Sequence, residues 1–337
     1  MTRAIRILTT LLAAAVWMTG GAGAADREVT IGFQRIYNPF KVVIADRTLE
    51  KTTGYTINWR VFESGGEVID ALAAGEIDIS LAGSSPIAAG VSRGVDIVLF
   101  WIAEDIGAAE ALVVRDGSGI VAPQDLRGKR IAVPFVSTSH FHLLFALEQF
   151  GINPTAVELL NMPPTSIAAA WEKGNIDAAF VWDPALGRLK KTGKVLMTSG
   201  VLSSWGRATF DGMVARREWA REHDGFMVEF VRAIAAADED YRANKEAWTP
   251  ESEPVKKIVR VVGGNPADVP EVLAQYDFPT LEQQASDLWL GGGAAGGAAK
   301  ALFHTSAFLK SEKKIDRALF DYSLAIDPQW VLKVLGR

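Results

Sequence analysis

Two phrases in this chain occur twice, about 100 residues apart, and this repetition limits the fold more than any other feature. Ala73-Ala74-Gly75-Glu76-Ile77-Asp78-Ile79 is echoed by Glu172-Lys173-Gly174-Asn175-Ile176-Asp177-Ala178, 99 residues later. Each phrase closes a helix at glycine, runs through Ile-Asp into a short apolar strand, and then reaches a polar residue and a proline (Pro86, Pro184). "EALVVR" (110–115) returns as "DGMVAR" (211–216), 101 residues on. A common spacing predicts two similar α/β domains. The second echo marks the crossings, with 112–115 leaving the first domain and 213–216 returning to it. The expected organisation is a discontinuous lobe of 27–112 plus 213–337, a second lobe of 113–212, and two crossing strands that act as the hinge.

The local patterns agree with an α/β class of mostly parallel strands. "VTIGFQ" and "YTINWRVFE" read as strands, with a helix after Asn38-Pro39. The segment 66–94 reads helix, glycine turn, strand, Ser-Ser-Pro, helix. "REWAREHDGFMVEFVRAIAAADEDYRAN" has apolar residues at helical spacing, and "GGGAAGGAA" reads as a flexible lead-in to a last helix.

The N-terminus has Arg3 and Arg6, an apolar run from Ile7 to Met18, and Ala22-Gly23-Ala24. This is the pattern of a secretory leader cut near residue 25. There is no cysteine for a disulfide, a thiolate metal site or a lipid anchor, so a free periplasmic protein is expected. A net charge of -5 argues against a nucleic-acid binder. No cofactor or metal is expected.

Residues 134–151, "PFVSTSHFHLLFALEQFG", pass from polar groups into a greasy helix. A Ser-Thr-Ser-His run admits two readings, a hydroxyl nucleophile beside its base or a helix start that holds an anion. Neighbours one or two apart on a helix do not face each other, so His140 is badly placed to activate Thr138 or Ser139. No G-x-S-x-G, H-E-x-x-H or P-loop pattern occurs. The free N–H groups and dipole of a helix start favour an anion, with Ser137, Thr138, Ser139 and His140 beside it. Ser84-Ser85-Pro86 is the counterpart in the first lobe, with Ser85 expected as N-cap and Pro86 at the first helical position.

Several stretches together resemble the taurine-binding proteins of ABC importers, within the group that binds sulfonates, nitrate and thiamine precursors. They are "AGSSPIAAGVSRG", "EALVVR", "DLRGKRIAVPFVSTSHFHLLFALEQFGI", "IAAAWEKGNIDAAFVWDPA" and "TFDGMV". The resemblance implies a two-lobed class II periplasmic binding protein fold that closes over a ligand and delivers it to a membrane permease. For a small zwitterion such as taurine, the two helix starts suit the sulfonate. Glu110 and Asp211 suit the ammonium, through charge-assisted hydrogen bonds of roughly 1.5–3 kcal/mol each. Trp182 and Tyr37 suit the methylene linker, with Trp101, Phe135 and Trp205 as further aromatics. Gln34, Tyr37, Asn38 and Asp183 lie in loops expected to face the cleft, where "RIYNPFK" and Asp183 differ from the family's smaller residues. Plain alkanesulfonates, another small oxyanion or an aminophosphonate are the alternative ligands, and an enzyme on the same scaffold is the alternative function. A monomer is expected.

Overall fold

The computed structural model describes residues 27–337; the expected leader, residues 1–25, lies outside them. In chain order the strands are β1 (Glu28–Gln34), β2 (Thr56–Phe62), β3 (Ile79–Gly83), β4 (Ile97–Asp105), β5 (Glu110–Arg115), β6 (Arg130–Val133), β7 (Glu158–Asn161), β8 (Ala178–Trp182), β9 (Gly193–Thr198) and β10 (Phe210–Arg216). They form two sheets, ordered β2-β1-β3-β10-β4 and β7-β6-β8-β5-β9. In each sheet the strand carrying the second echo is the antiparallel one. β10 runs against β3 and β4, and β5 runs against β8 and β9. "DGMVAR" and "EALVVR" therefore occupy equivalent places in two equivalent lobes.

The first echo has an equally specific cause. Asp78 Oδ2 accepts from Thr30 N in β1 and Asp177 Oδ2 accepts from Arg130 N in β6, both at 3.0 Å. The peptide oxygens of the same aspartates accept from Arg216 N at 2.8 Å and Arg115 N at 2.9 Å. Each Asp thus ties together the two strands that flank its own. Gly75 and Gly174 supply the left-handed backbone (φ 71° and 73°) that turns the chain out of the preceding helix.

The crossings lie earlier than the expected 112/113 and 212/213 boundaries, and they are short irregular segments rather than strands. β5 pairs along its length with β8 and β9, and β10 with β3 and β4, so neither strand is free to bridge the lobes. The chain crosses at 106–109 and returns at 205–209. The two segments run side by side, with Ile106 N donating to Thr209 O at 3.4 Å.

The C-terminal region also departs from its assignment to one lobe. Helix Gly297–Ser311 packs on helix Ser84–Arg93 of lobe 1. Its Phe308 enters the apolar core of lobe 2, edge-on to Phe141 (5.3 Å) and Phe145 (6.3 Å). The glycines before it form a tight turn, not a flexible lead-in. A Cβ at Gly297 would collide with the carbonyl of Leu288, and one at Gly296 with that of Gly291.

The central strand β5 of the lobe-2 sheet is buried on both faces, and strand alternation sends its successive side chains to opposite ones. Leu112 and Val114 of β5 pack under helix Thr138–Gln149, while Ala111 and Val113 face the other way. This places the N-terminus of that helix at the edge of the interlobe cleft.

Candidate functional site

The site forms where β3 and β8 end and β10 and β5 begin. Asp211 opposes Gly83, the last residue of β3, and Glu110 opposes Trp182, the last residue of β8. The helices that follow start there, at Ser84 and Ala185. This edge, beyond the carboxyl ends of the parallel strands, is where open α/β sheets hold ligands. A cavity of about 10 Å³ remains between the lobes, its lining including Gln34, Glu110, Thr138, Trp182, Asp211 and Tyr276, with Ser137 at the helix start. The lobes meet closely around it. A Cβ built on Gly83 would stand 2.8 Å from the Thr138 methyl across the cleft. Thr165 Oγ1 donates to Glu63 Oε2 at 3.1 Å, and Lys190 faces Glu271 at 3.6 Å, both between lobes.

Ser137 is the N-cap of helix Thr138–Gln149, its hydroxyl accepting from His140 N at 3.0 Å. The amides of the first turn beyond it have no partner within the helix. Thr138 Oγ1 donates to Glu110 Oε1 at 2.5 Å. Ser199 Oγ lies 3.1 Å from Glu110 Oε2 and 2.8 Å from His142 Nδ1. Burial pushes the His142 ring down to about 4, so it is neutral, and its Nε2–H donates to Arg207 O at 2.7 Å. Nδ1 is then bare and can accept a hydrogen bond from the Ser199 hydroxyl. The single Ser199 hydroxyl proton is shared between this nitrogen and Glu110 Oε2. Burial pushes the Glu110 carboxyl up to about 7, against the opposing donation from Thr138 and Ser199. Once Glu110 ionises, Ser199 turns to it.

Asp211 has a different partner. Across the β4–β10 ladder it opposes Glu104, and the two fully buried carboxyls are within hydrogen-bond reach. Both Glu104 oxygens face Asn38 Nδ2, at 3.2 and 3.4 Å, and Asn38 Oδ1 accepts from Lys41 Nζ at 3.1 Å. Burial raises Glu104 to about 7 and lowers the Lys41 ammonium to about 8. Asp211 is driven well above the carboxylate range by burial, then by Glu104 and Glu110.

The remaining sequence-predicted residues divide between supporting and packing positions. Gln34 lines the cavity and donates to Leu81 O at 3.2 Å. Asn38 stands behind it, on Glu104. Ser84 and Ser85 are buried in the first turn, but the N-cap is Gly83 and Pro86 is the third helical residue. The extended backbone of Gly83 (ψ 156°) starts the helix earlier than expected. Ser84 Oγ accepts from Phe210 N at 3.4 Å, whereas Ser85 Oγ has no partner. The Ser139 hydroxyl is buried beside Glu110 without completing a hydrogen bond. His140 faces away from the cavity, stacked on Phe135 at 4.5 Å, with Nδ1 accepting from Val136 N at 3.0 Å. Burial lowers it to about 3.

Tyr37 and Asp183 are buried but do not line the cavity. The Tyr37 hydroxyl is pressed against Gly264, and burial beside Asp183 and Asp268 raises its pKa. Asp183 Oδ1 accepts from Gly187 N at 2.9 Å, bracing helix Ala185–Lys190, and burial raises it to about 6. Trp101 is a core residue, and Trp205 packs edge-on to Phe145 and Phe150 outside the cleft. Sequence reasoning missed Lys41, Glu104, Ser199, His142 and Tyr276. Only Glu104 carries a local signal, an acid closing the apolar run "IVLFWIA".

Comparisons with known proteins bear on this arrangement. A family model described as the NMT1-like family matches residues 22–249. The taurine-binding periplasmic protein of Escherichia coli (strain K12) is 39% identical, covering 97% of this chain and 99% of that protein. A putative aliphatic sulfonates-binding protein of Bacillus subtilis (strain 168) is 26% identical, covering 82% and 87%. Among solved structures, the alkanesulfonate-binding protein SsuA from Xanthomonas axonopodis pv. citri bound to MOPS superposes with a TM-score of 0.74 at 22% identity. That match covers 90% of this chain and 99% of that one, and shows the shared two-lobed fold.

Proposed function

The chain belongs to the NMT1-like family, and we propose that it is a periplasmic binding protein that captures taurine between its lobes and hands it to the permease of an ABC importer. One observation carries the reading. Two acids from equivalent strands, Glu110 and Asp211, line the same small cavity as the start of helix Thr138–Gln149. The acids suit an ammonium, and the helix start with Ser137 and Thr138 suits a sulfonate. The two ends of a short zwitterion are thereby addressed from one cavity. Because the enclosed space is about 10 Å³, the lobes part to admit the ligand and close on it. A binder rather than an enzyme is the reading that His142, bonded to Ser199 and Arg207 O, and His140, whose Nδ1 accepts from Val136 N, support.

Calorimetry with taurine and ethanesulfonate tests this. Taurine binds, and ethanesulfonate binds weakly because it lacks the ammonium that makes charge-assisted bonds to Glu110 and Asp211. Equal affinity for the two would remove the ammonium role of the acids.

A second reading, a longer alkanesulfonate, draws on a groove beside the cavity. Phe62, Ala168, Trp182, Pro184 and Ala185 make it apolar, and Trp182 is common to both spaces. Stronger binding of hexanesulfonate than of taurine would favour it.

A further inference from the structure

The cavity exposes one carboxyl of a buried pair. Asp211 lines it, and Glu104 lies behind, directly opposite on β4. Two ionised carboxylates facing each other out of water repel strongly, so such a pair holds one proton between them.

The surroundings decide which oxygen carries it. Glu104 receives Asn38 Nδ2 on both oxygens and couples to the Lys41 ammonium more strongly than Asp211 does, the ammonium being fully buried over the Phe33 and Phe40 rings. Asp238, on helix Asp224–Ala243, faces Glu104 but is driven towards its neutral form by burial. Glu110 from β5 and Tyr276 also face Asp211, and neither brings a positive charge. Negative charge therefore settles on Glu104, balanced by Lys41, and the proton settles on Asp211, which presents a neutral acid to the cavity.

We propose that the ligand's ammonium is taken up in exchange for this shared proton, with Glu104 and Lys41 setting the charge of the site from behind. The balance is simple. The ammonium keeps its own protons, Asp211 releases one to the buffer, and the net charge of the buried group is unchanged by binding. Residues that never touch the ligand would thus fix both the preference for a cation and its pH dependence. This inference rests on the taurine reading.

Calorimetry of taurine binding at pH 7.5 and pH 8.5, above the value of about 7 to which burial raises Glu104, in buffers of different ionisation enthalpy, counts the protons released. Glu110 also titrates, so the informative quantity is the difference between the wild type and Glu104→Gln. In the variant a glutamine amide donates to Asp211, which then ionises without the ligand. The wild type releases more protons per taurine than the variant, by a number approaching one. Its affinity also rises more steeply with pH, by up to a further factor of ten per pH unit. Equal proton counts would overturn the exchange.

The infrared difference spectrum of the wild type at pH 8 needs no substitution. A protonated-carboxyl band present without ligand disappears on adding taurine; a spectrum without that loss would also overturn it. Absence of taurine binding by the wild type at any pH would instead remove the ligand reading itself.

Discussion

Replacing Glu110 by glutamine stabilises the ligand-free protein at neutral and alkaline pH while it weakens taurine binding. In the folded chain burial raises this carboxyl from its ordinary 4.5 to about 7. At roughly 1.4 kcal/mol for each factor of ten, this is a cost of about 3 kcal/mol for holding the ionised form. The sign follows from linkage. The folded state binds the proton more tightly than the unfolded one. The contribution to stability is therefore fully present below 4.5 and is lost as pH rises through 7. Glutamine does not titrate, and its amide can donate to Ser199 while its oxygen accepts from Thr138. Denaturant unfolding of both proteins, without ligand, across pH 4.5 to 8 isolates the effect. The variant gains about 3 kcal/mol on the wild type over that range. Taurine affinity at pH 8 falls by about 10- to 100-fold with the loss of a charge-assisted bond. Stability curves that stay parallel with pH would refute the reasoning, since Glu110 would then be equally easy to ionise in both states.

Two further outcomes concern contacts between the lobes. Gly83→Ala is tolerated by a backbone at φ -66°, but its methyl stands 2.8 Å from the Thr138 methyl of the other lobe, a tighter contact than the 3.3 Å to Asp211 Oδ1 in its own lobe. Affinity should fall about tenfold, at the low end of the usual overpacking cost. Thr138→Ser, which removes the offending methyl and keeps the hydroxyl, should restore most of it in a double-mutant calorimetric cycle. Phe308→Ala should cost about 3 kcal/mol of thermal stability, as for a buried phenylalanine elsewhere, although the residue belongs to neither sheet. A loss under 1 kcal/mol would mean that helix Gly297–Ser311 does not dock on lobe 2.

What is legible in the sequence is local or repeated. Ser137 to Ser139 announce a helix start by composition alone, and the paired echoes suffice to place Glu110 and Asp211 on equivalent strands. The same echo misplaces the crossings, because it marks the antiparallel strand of each sheet, which looks like a connection until its two neighbours are known. Tyr37 and Asp183 read as cleft residues because they sit in loops. Their side chains turn instead into contacts with Gly264 and Gly187, which are distant or featureless in the sequence. Lys41, on a short helix, is one of many lysines in the chain, and only its burial beside Asn38 and Glu104 gives it a role. Ser85 reads as a cap because glycine, which has no side chain to signal the position, takes that place.

The order of the first sheet has a consequence for how the chain reaches its native state. β10 lies between β3 and β4, which do not pair with each other and which precede it by more than a hundred residues. Until β10 arrives, the centre of that sheet is missing, and Asp211 has neither Gly83 nor Glu104 to face. The whole of the second lobe emerges in the interval, and its own sheet takes all its strands from 110–198, so it can condense first as a unit. Completion of the first lobe then waits on a non-local pairing of the kind that slows folding. The last strand to be inserted carries the acid that meets the ligand, so the cleft becomes competent only when assembly is finished.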